Sequence, residues 1–307
     1  MRNMNWRLPL VCLASGLVWG ASPFAGRWDV TLKSPSGEYP SWIEFSEQDG
    51  KLAAQMTGRW GNARPLPKLE VRDFEIEFVS PRREEGGKED MVFHGAFAGG
   101  RIAGSVNGPD GTQWSWTAVH AQSLERNSSP GWGDPVALFD GRDMAEWRIR
   151  DTTGPNGWKV EAGALTNHPR STDLVTNRQF GDFKLHVEFN CPPGCNSGVY
   201  LRGRYEVQIE DDSIKEPPSH HTGGVYGFIA PSPELPRRPG EWQSFDITLV
   251  GRRVTVVQNG KTIIENCEIP GLTGGAIDSH EELPGPILLQ GDHGSLSFRN
   301  IIVTPAK

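Results

Sequence analysis

The sequence predicts an all-β protein: an N-terminal antiparallel β barrel or small sandwich, followed by a jelly-roll β sandwich. Three observations carry that expectation. Glycine (37) and proline (24) make about a fifth of the 307 residues, a turn content that suits many short strands and no helical bundle. Apolar and polar residues alternate in Glu75-Ile76-Glu77-Phe78-Val79 and in Trp114-Ser115-Trp116-Thr117, the period of a half-buried strand. No helical period persists for three turns anywhere along the chain.

The first twenty residues stand apart from the fold. Arg2 and Arg7 flank the start, Leu8 to Gly20 form an apolar run of thirteen, and Ala21 and Ser22 are small. That is the layout of a secretory signal peptide over residues 1–20, and the run is too short to span a bilayer. Cys12 follows Leu10-Val11, where a lipoprotein anchor would want small residues. The expectation is export to the periplasm or the extracellular space, with no transmembrane segment once the signal is removed. Losing Arg2 and Arg7 takes the formal net charge from −7 to −9. A surface of that sign repels phosphate backbones, so nucleic acid is not an expected partner.

Within residues 24–120, strands are expected at 27–32, 41–45, 52–57, 68–72, 75–79, 91–97, 101–106 and 113–119. Ser36-Gly37, Asp49-Gly50, Gly99-Gly100 and Asp110-Gly111 punctuate them as hairpin signals. About eight antiparallel strands in a hundred residues read as an up-and-down barrel or a small sandwich. Residues 81–90 form a charged, solvated loop. Residues 121–133 are polar and interrupted by Pro130 and glycines, and read as a linker.

From 134 to 306 the chain is again β-rich. Strands are expected at 158–161, 164–166, 182–190, 198–201, 205–210, 224–229, 243–250, 253–258, 261–266, 285–290 and 295–304. Asn259-Gly260 marks a type I′ hairpin between two of them. Eleven tryptophans have two uses in such a protein, filling β cores or stacking on sugar rings. Export permits disulfides, and Cys191-Pro-Pro-Gly-Cys195 is a tight turn whose ends suit a bridge. Cys267 is expected as a buried thiol. Simple packing of all three is the bland alternative.

The sequence lacks the serine elbow G-x-S-x-G, the zinc motif H-E-x-x-H, a Walker loop and a Rossmann fingerprint. It requires no cofactor and leaves room for a divalent metal, for which His220-His221 are the only adjacent histidines. More telling is the run from Asn196 to Asp211. Tyr205, Val207 and Ile209 fall on one face of a strand, and Glu206, Gln208 and Glu210 on the other. Tyr200, Arg202 and Arg204 share a parity that Gly203 can break. Such a polar face suits either a sugar-binding concavity or a solvated exterior.

Several motifs then align. They are Leu138-Phe139-Asp140-Gly141 with Trp147, Asn196-Ser-Gly-Val-Tyr-Leu-Arg-Gly203 running into Tyr205-Glu-Val-Gln-Ile209, and His221-Thr-Gly-Gly-Val-Tyr-Gly227. Pro239-Gly-Glu-Trp242, Gly285-Pro-Ile-Leu-Leu-Gln-Gly-Asp-His-Gly294 and Phe298-Arg-Asn-Ile301 follow. In this order they resemble the 3-keto-disaccharide hydrolase domain family across 134–306. The resemblance implies a concanavalin-like jelly roll and cleavage of glycosides already oxidised at C3. It assigns no chemistry to residues 24–120. Two departures are visible. Gly223-Gly224-Val225 replaces the usual tripeptide before the tyrosine, and Gln290 is separated from His293 by two residues rather than one.

The residues limit the mechanism. Paired carboxylates in glycosidases stand about 5–5.5 Å apart for retention and about 6.5–9.5 Å for inversion. Glu206 and Glu210, four residues apart on one strand, are separated by roughly 13 Å at about 3.3 Å per residue. A C3 ketone instead acidifies the C2 proton, so a single base can trigger β-elimination of the aglycone, and water can add back. The expected assignment makes Glu206 the base and His293 the acid, with Arg202 or His221 near the developing oxyanion and Gln208, Tyr226 and Gln290 on hydroxyls. The partner is an oxidised (3-keto) glycoside or disaccharide, supplied by an oxidase the sequence does not name. A noncatalytic glycan-binding, lectin-like module of the cell envelope is the alternative from another class, because fold does not fix function. An envelope adhesion or scaffolding protein is a third.

Overall fold

The computed structural model describes residues 22–307 except 49, 60, 83–87, 110, 127, 212–215 and 237. The expected signal peptide at 1–20 lies outside the described residues, as do Asp49, Asp110 and part of the 81–90 loop.

The N-terminal half is one curled antiparallel sheet. Its strands are β1 (Gly26–Ser34), β2 (Gly37–Gln48), β3 (Lys51–Thr57), β4 (Ala63–Pro65), β5 (Leu69–Arg72), β6 (Glu75–Ser80), β7 (Met91–Ala98), β8 (Arg101–Asn107) and β9 (Gln113–His120). Pairing follows chain order and β9 returns to β1, so the strands circle up and down with a seam between β4 and β5. The connection there bridges the seam: Leu66 N donates to Ala54 O (2.8 Å) and Val79 N to Lys68 O (3.2 Å). Alternation along β9 turns Trp114, Trp116 and Ala118 inward. They meet Trp28, Phe45, Phe78 and Phe93 in one core, where Phe78 and Phe93 stack at 4.5 Å. The Trp116 indole N–H is satisfied by His94 O at 3.1 Å.

The C-terminal half is a two-sheet sandwich. The larger sheet holds β10 (Val136–Phe139), β12 (Lys159–Glu161), β13 (Ala164–Thr166), β15 (Phe183–Asn190), β18 (Trp242–Val250), β19 (Arg253–Gln258), β20 (Lys261–Glu268) and β22 (Ser297–Pro305). The smaller sheet has the order β11 (Trp147–Ile149), β14 (Leu174–Thr176), β21 (Leu288–Leu289), β16 (Asn196–Leu201) and β17 (Tyr205–Glu210). Phe183, Leu185, Val187 and Phe189 of β15 face Val199, Leu201, Val207 and Ile209 across the core. Burying each such side chain is worth about 1.5–3 kcal/mol, which locks the register of both sheets. Asn259 (φ 51°) and Gly260 (φ 77°) make the hairpin turn between β19 and β20.

Two expected strands are corrected. Residues 224–229 form tight turns closed by Val225–Ile229 backbone bonds, because Gly223 and Gly227 take positive φ and break the extended run. Of 285–290 only Leu288–Leu289 pair as a strand. Cys191 and Cys195 are bridged, with Cα atoms 5.6 Å apart. Cys267 is half-buried rather than buried, because it lies near the end of the outermost strand of the larger sheet.

The two halves touch through side chains and loops. Trp42 of β2 packs on Leu272 and Ala276, Thr31 Oγ1 meets Ser279 Oγ at 2.6 Å, and Arg27 pairs with Glu268 at 2.7 Å. The 121–133 segment is also fastened down. Ala121 N donates to Arg27 O, Leu124 is buried, and Gly133 N donates to Pro305 O.

Candidate active site

The β16–β17 hairpin builds the site. Its register sets Tyr200 opposite Glu206 and Gly198 opposite Gln208. All six residues of β17 are buried, so its polar face is not a solvated exterior. Glu206 and Gln208 instead line a cavity of about 310 Å³ at the face of the smaller sheet. Gly198 makes room for the carboxyl: a Cβ there would lie 2.2 Å from Glu206 Oε1.

Glu206 is held closely. Tyr200 Oη lies 2.8 Å from Glu206 Oε2 and 2.9 Å from Gly274 O. The surroundings of Gln208 favour the amide orientation whose nitrogen donates to Ser197 O (2.8 Å) and to Glu206 Oε1 (3.2 Å). A phenol carries one proton, so both Tyr200 contacts are satisfied together when Glu206 is protonated and donates to it. Burial pushes the Glu206 carboxyl up to about 8; its hydrogen bond with Tyr200 and the charge of His293 only partly offset this. Burial, with the Glu206 carboxyl beside it, also raises the Tyr200 phenol well above its ordinary value.

His293 faces the same cavity, with Nδ1 hydrogen-bonded to Asp292. That bond, and the carboxylates around it, raise the imidazole above its ordinary value despite burial. Asp292 is held low because His293 outweighs the opposing effect of burial. Asp173 and Arg150 complete the ionic lining. Arg150 Nη1 donates to Asp173 Oδ2 (3.0 Å) and to Gly275 O (3.1 Å), and burial raises the Asp173 carboxyl. Gln290 and Tyr226 also line the cavity, and the Gln290 Oε1 is buried without a hydrogen-bond partner. No tryptophan lines the cavity among the described residues; Trp28, Trp42, Trp114, Trp116, Trp147 and Trp158 all serve cores.

Five expected site residues therefore meet in one cavity: Glu206, Gln208, Tyr226, Gln290 and His293. Two do not. Arg202 takes φ 54° in the hairpin turn, which swings its guanidinium to the opposite face, onto Tyr205 Oη (3.1 Å) and Gly251 O (2.8 Å). His221 turns away at the end of the 3₁₀ turn Pro218–His220; its Nε2 donates to Glu216 O (3.1 Å) and its Nδ1 stands 3.0 Å from Glu234. Arg150, not Arg202, is the arginine that lines the cavity. Neither Arg150 nor Asp173 lies in a periodic run or a recognised motif; Asp292 was legible as the neighbour of His293. Among the described residues, no group of three or more His, Cys, Asp or Glu side chains is arranged to hold a metal ion. No helix among them is long and apolar enough to cross a membrane.

Three crystal structures from Parabacteroides distasonis, each provisionally named a glycosyl hydrolase, resemble the chain. The first is 32% identical with a TM-score of 0.47, covering 55% of this chain and 83% of its own. The second is 20% identical with a TM-score of 0.47, covering 56% of this chain and 94% of its own. The third is 25% identical with a TM-score of 0.44, covering 56% and 98%. No curated protein sequence matches the chain. The sequence profile described as the 3-keto-alpha-glucoside-1,2-lyase-like domain matches residues 134–304, more than half of the chain. The chain belongs to that family, and so to the carbohydrate-active enzymes.

Proposed function

We propose that the protein is an exported enzyme that cleaves 3-keto-glycosides by base-catalysed β-elimination followed by hydration. One observation carries the reading: a single fully buried carboxyl, Glu206, faces the cavity with its affinity for a proton raised to about 8. A base of that strength suits the removal of a proton α to a ketone.

Glu206 takes the C2 proton, and the C2–H electron pair forms the enolate of the C3 ketone. Arg150 supplies the positive charge facing that oxygen. The enolate collapses, the C1–O bond breaks as C1=C2 forms, and protonated His293 gives its proton to the departing oxygen. Water then adds across C1=C2, hydroxyl to C1 and hydrogen to C2, so the net change is hydrolysis. Gln208, Gln290 and Tyr226 hold sugar hydroxyls.

A second reading rests on a specific feature. Asp173 and Asp292 share the cavity with Glu206, and a carboxyl pair is what direct glycosidase chemistry uses. Oxidised and unoxidised forms of one disaccharide separate the two readings. Elimination requires the ketone, whereas direct hydrolysis proceeds on both. Sugar binding without turnover of either would return the protein to the lectin-like class.

A further inference from the structure

We propose that Asn62, carried by the N-terminal barrel, is a positioning residue of the sugar pocket that fixes Tyr226 through the ring of His220. The inference rests on the reading of the cavity as a sugar site, and it extends that site to a half of the chain to which the family match gives no role.

Asn62 lies in the connection between β3 and β4. Its Nδ2 stands 3.2 Å from His220 Nε2, while His220 Nδ1 stands 3.1 Å from Glu216 Oε2. A carboxylate only accepts, so Nδ1 carries the proton and Nε2 accepts from the Asn62 amide. Pinned at both nitrogens and 8% exposed, the imidazole lies flat against Tyr226, with centroids 4.2 Å apart and planes at 23°. Tyr226 in turn lines the cavity. The approach is close enough to exclude a side chain at the next position: at Gly227 (φ +73°) a Cβ would lie 2.4 Å from Asn62 Cβ.

The same connection holds another part of the cavity wall. Arg59 O accepts from Gly275 N at 3.0 Å, and Gly274 and Gly275 line the cavity where Tyr200 reaches the Gly274 carbonyl. Trp42 of β2 braces Phe228, two residues beyond Tyr226, edge to face at 5.6 Å. Two pocket walls are thus tied to a few residues of the barrel.

Tyr226 touches no reacting bond in the proposed steps, so fixing it aids substrate and transition state alike. Asn62→Ala should therefore raise KM roughly tenfold with kcat within about twofold. A merely structural loss would lower the active fraction, and with it apparent kcat, at unchanged KM. His220→Phe keeps an aromatic face against Tyr226 but loses both anchors, and should reproduce the KM increase if Asn62→Ala does not fold. In a Tyr226→Ala background the Asn62→Ala effect should vanish, because the two act through one chain of contacts. An unchanged KM, or an undiminished effect in that background, overturns the proposal. Running the same cycle on Kd for the unoxidised disaccharide, by calorimetry, keeps the two claims apart. Binding without turnover of the keto-sugar sinks the reaction and still tests Asn62; absence of both in the wild type removes both.

Discussion

The two faces of β17 each carry a tyrosine–carboxyl pair, and only the Tyr200–Glu206 pair lines a cavity among the described residues. On the cavity face, Tyr200 meets Glu206 at 2.8 Å. On the other, Tyr205 Oη donates to Glu281 Oε1 at 2.6 Å, next to Arg252 (3.2 Å from Glu281), Arg202 and Asp29 of the barrel. Burial and the neighbouring Glu281 charge raise Asp29 to about 9, further from its ordinary value than Glu206. Perturbation alone would therefore select the sealed cluster over the one that lines the cavity. What differs is access and compensation. The Asp29 cluster is sealed between the two halves, with arginines to balance its carboxyls, whereas Glu206 opens on a cavity.

The largest expected effect separates the faces by function. Glu206→Gln should lose about 10²–10⁴-fold in kcat while remaining folded, the range of a missing general base. Turnover within threefold of the wild type would deny Glu206 that role. Arg252→Met should do the reverse. Removing one partner of a buried ion pair costs about 3–5 kcal/mol, so chemical denaturation should show a large loss of stability. Turnover per folded molecule should hold.

A smaller effect tests the acid. His293→Ala should cost about 10²-fold with a sugar leaving group and clearly less with a nitrophenol, which departs without a proton. Equal losses for both leaving groups would argue against proton donation.

The pH dependence sharpens the contrast further. In the unfolded chain both carboxyls ionise near 4, while the folded protein keeps the proton on Glu206 to about 8 and on Asp29 to about 9. The native state binds more protons in that window, so each group lowers stability as pH rises through it. Glu206→Gln and Asp29→Asn should both gain on the wild type as pH rises from about 5 to 8. Only Glu206→Gln should abolish the rise of kcat/KM toward pH 8. A pH-independent stability difference for Glu206→Gln would contradict the burial of a neutral carboxyl.

Most of the fold was legible, and its errors have local causes. Strands with period two, such as Glu75–Ser80 and Phe183–Asn190, stood out in the sequence because one face is buried and the other is not. Leu174–Thr176 did not, because all three residues are buried and the strand is too short to show a period. The shared parity of Glu206 and Gln208 holds, and both line the cavity, but parity by itself suited a solvated exterior equally well. The same parity failed at Arg202, where two left-handed residues in the turn, Arg202 (φ 54°) and Gly203 (φ 67°), reverse the side-chain direction. Arg150 and Asp173 come from segments distant in sequence and meet only when the smaller sheet folds. The barrel's reach to the cavity through Asn62 had no sequence signal, since a connecting loop shows no period.

The most direct measurement is turnover of a 3-keto-disaccharide in deuterium oxide, followed by mass and proton spectra of the released keto-sugar. Elimination through Glu206 predicts one solvent deuterium at C2, and no reaction of the unoxidised disaccharide. Equal turnover of both sugars with protium retained at C2 would contradict it and assign the cavity to direct hydrolysis.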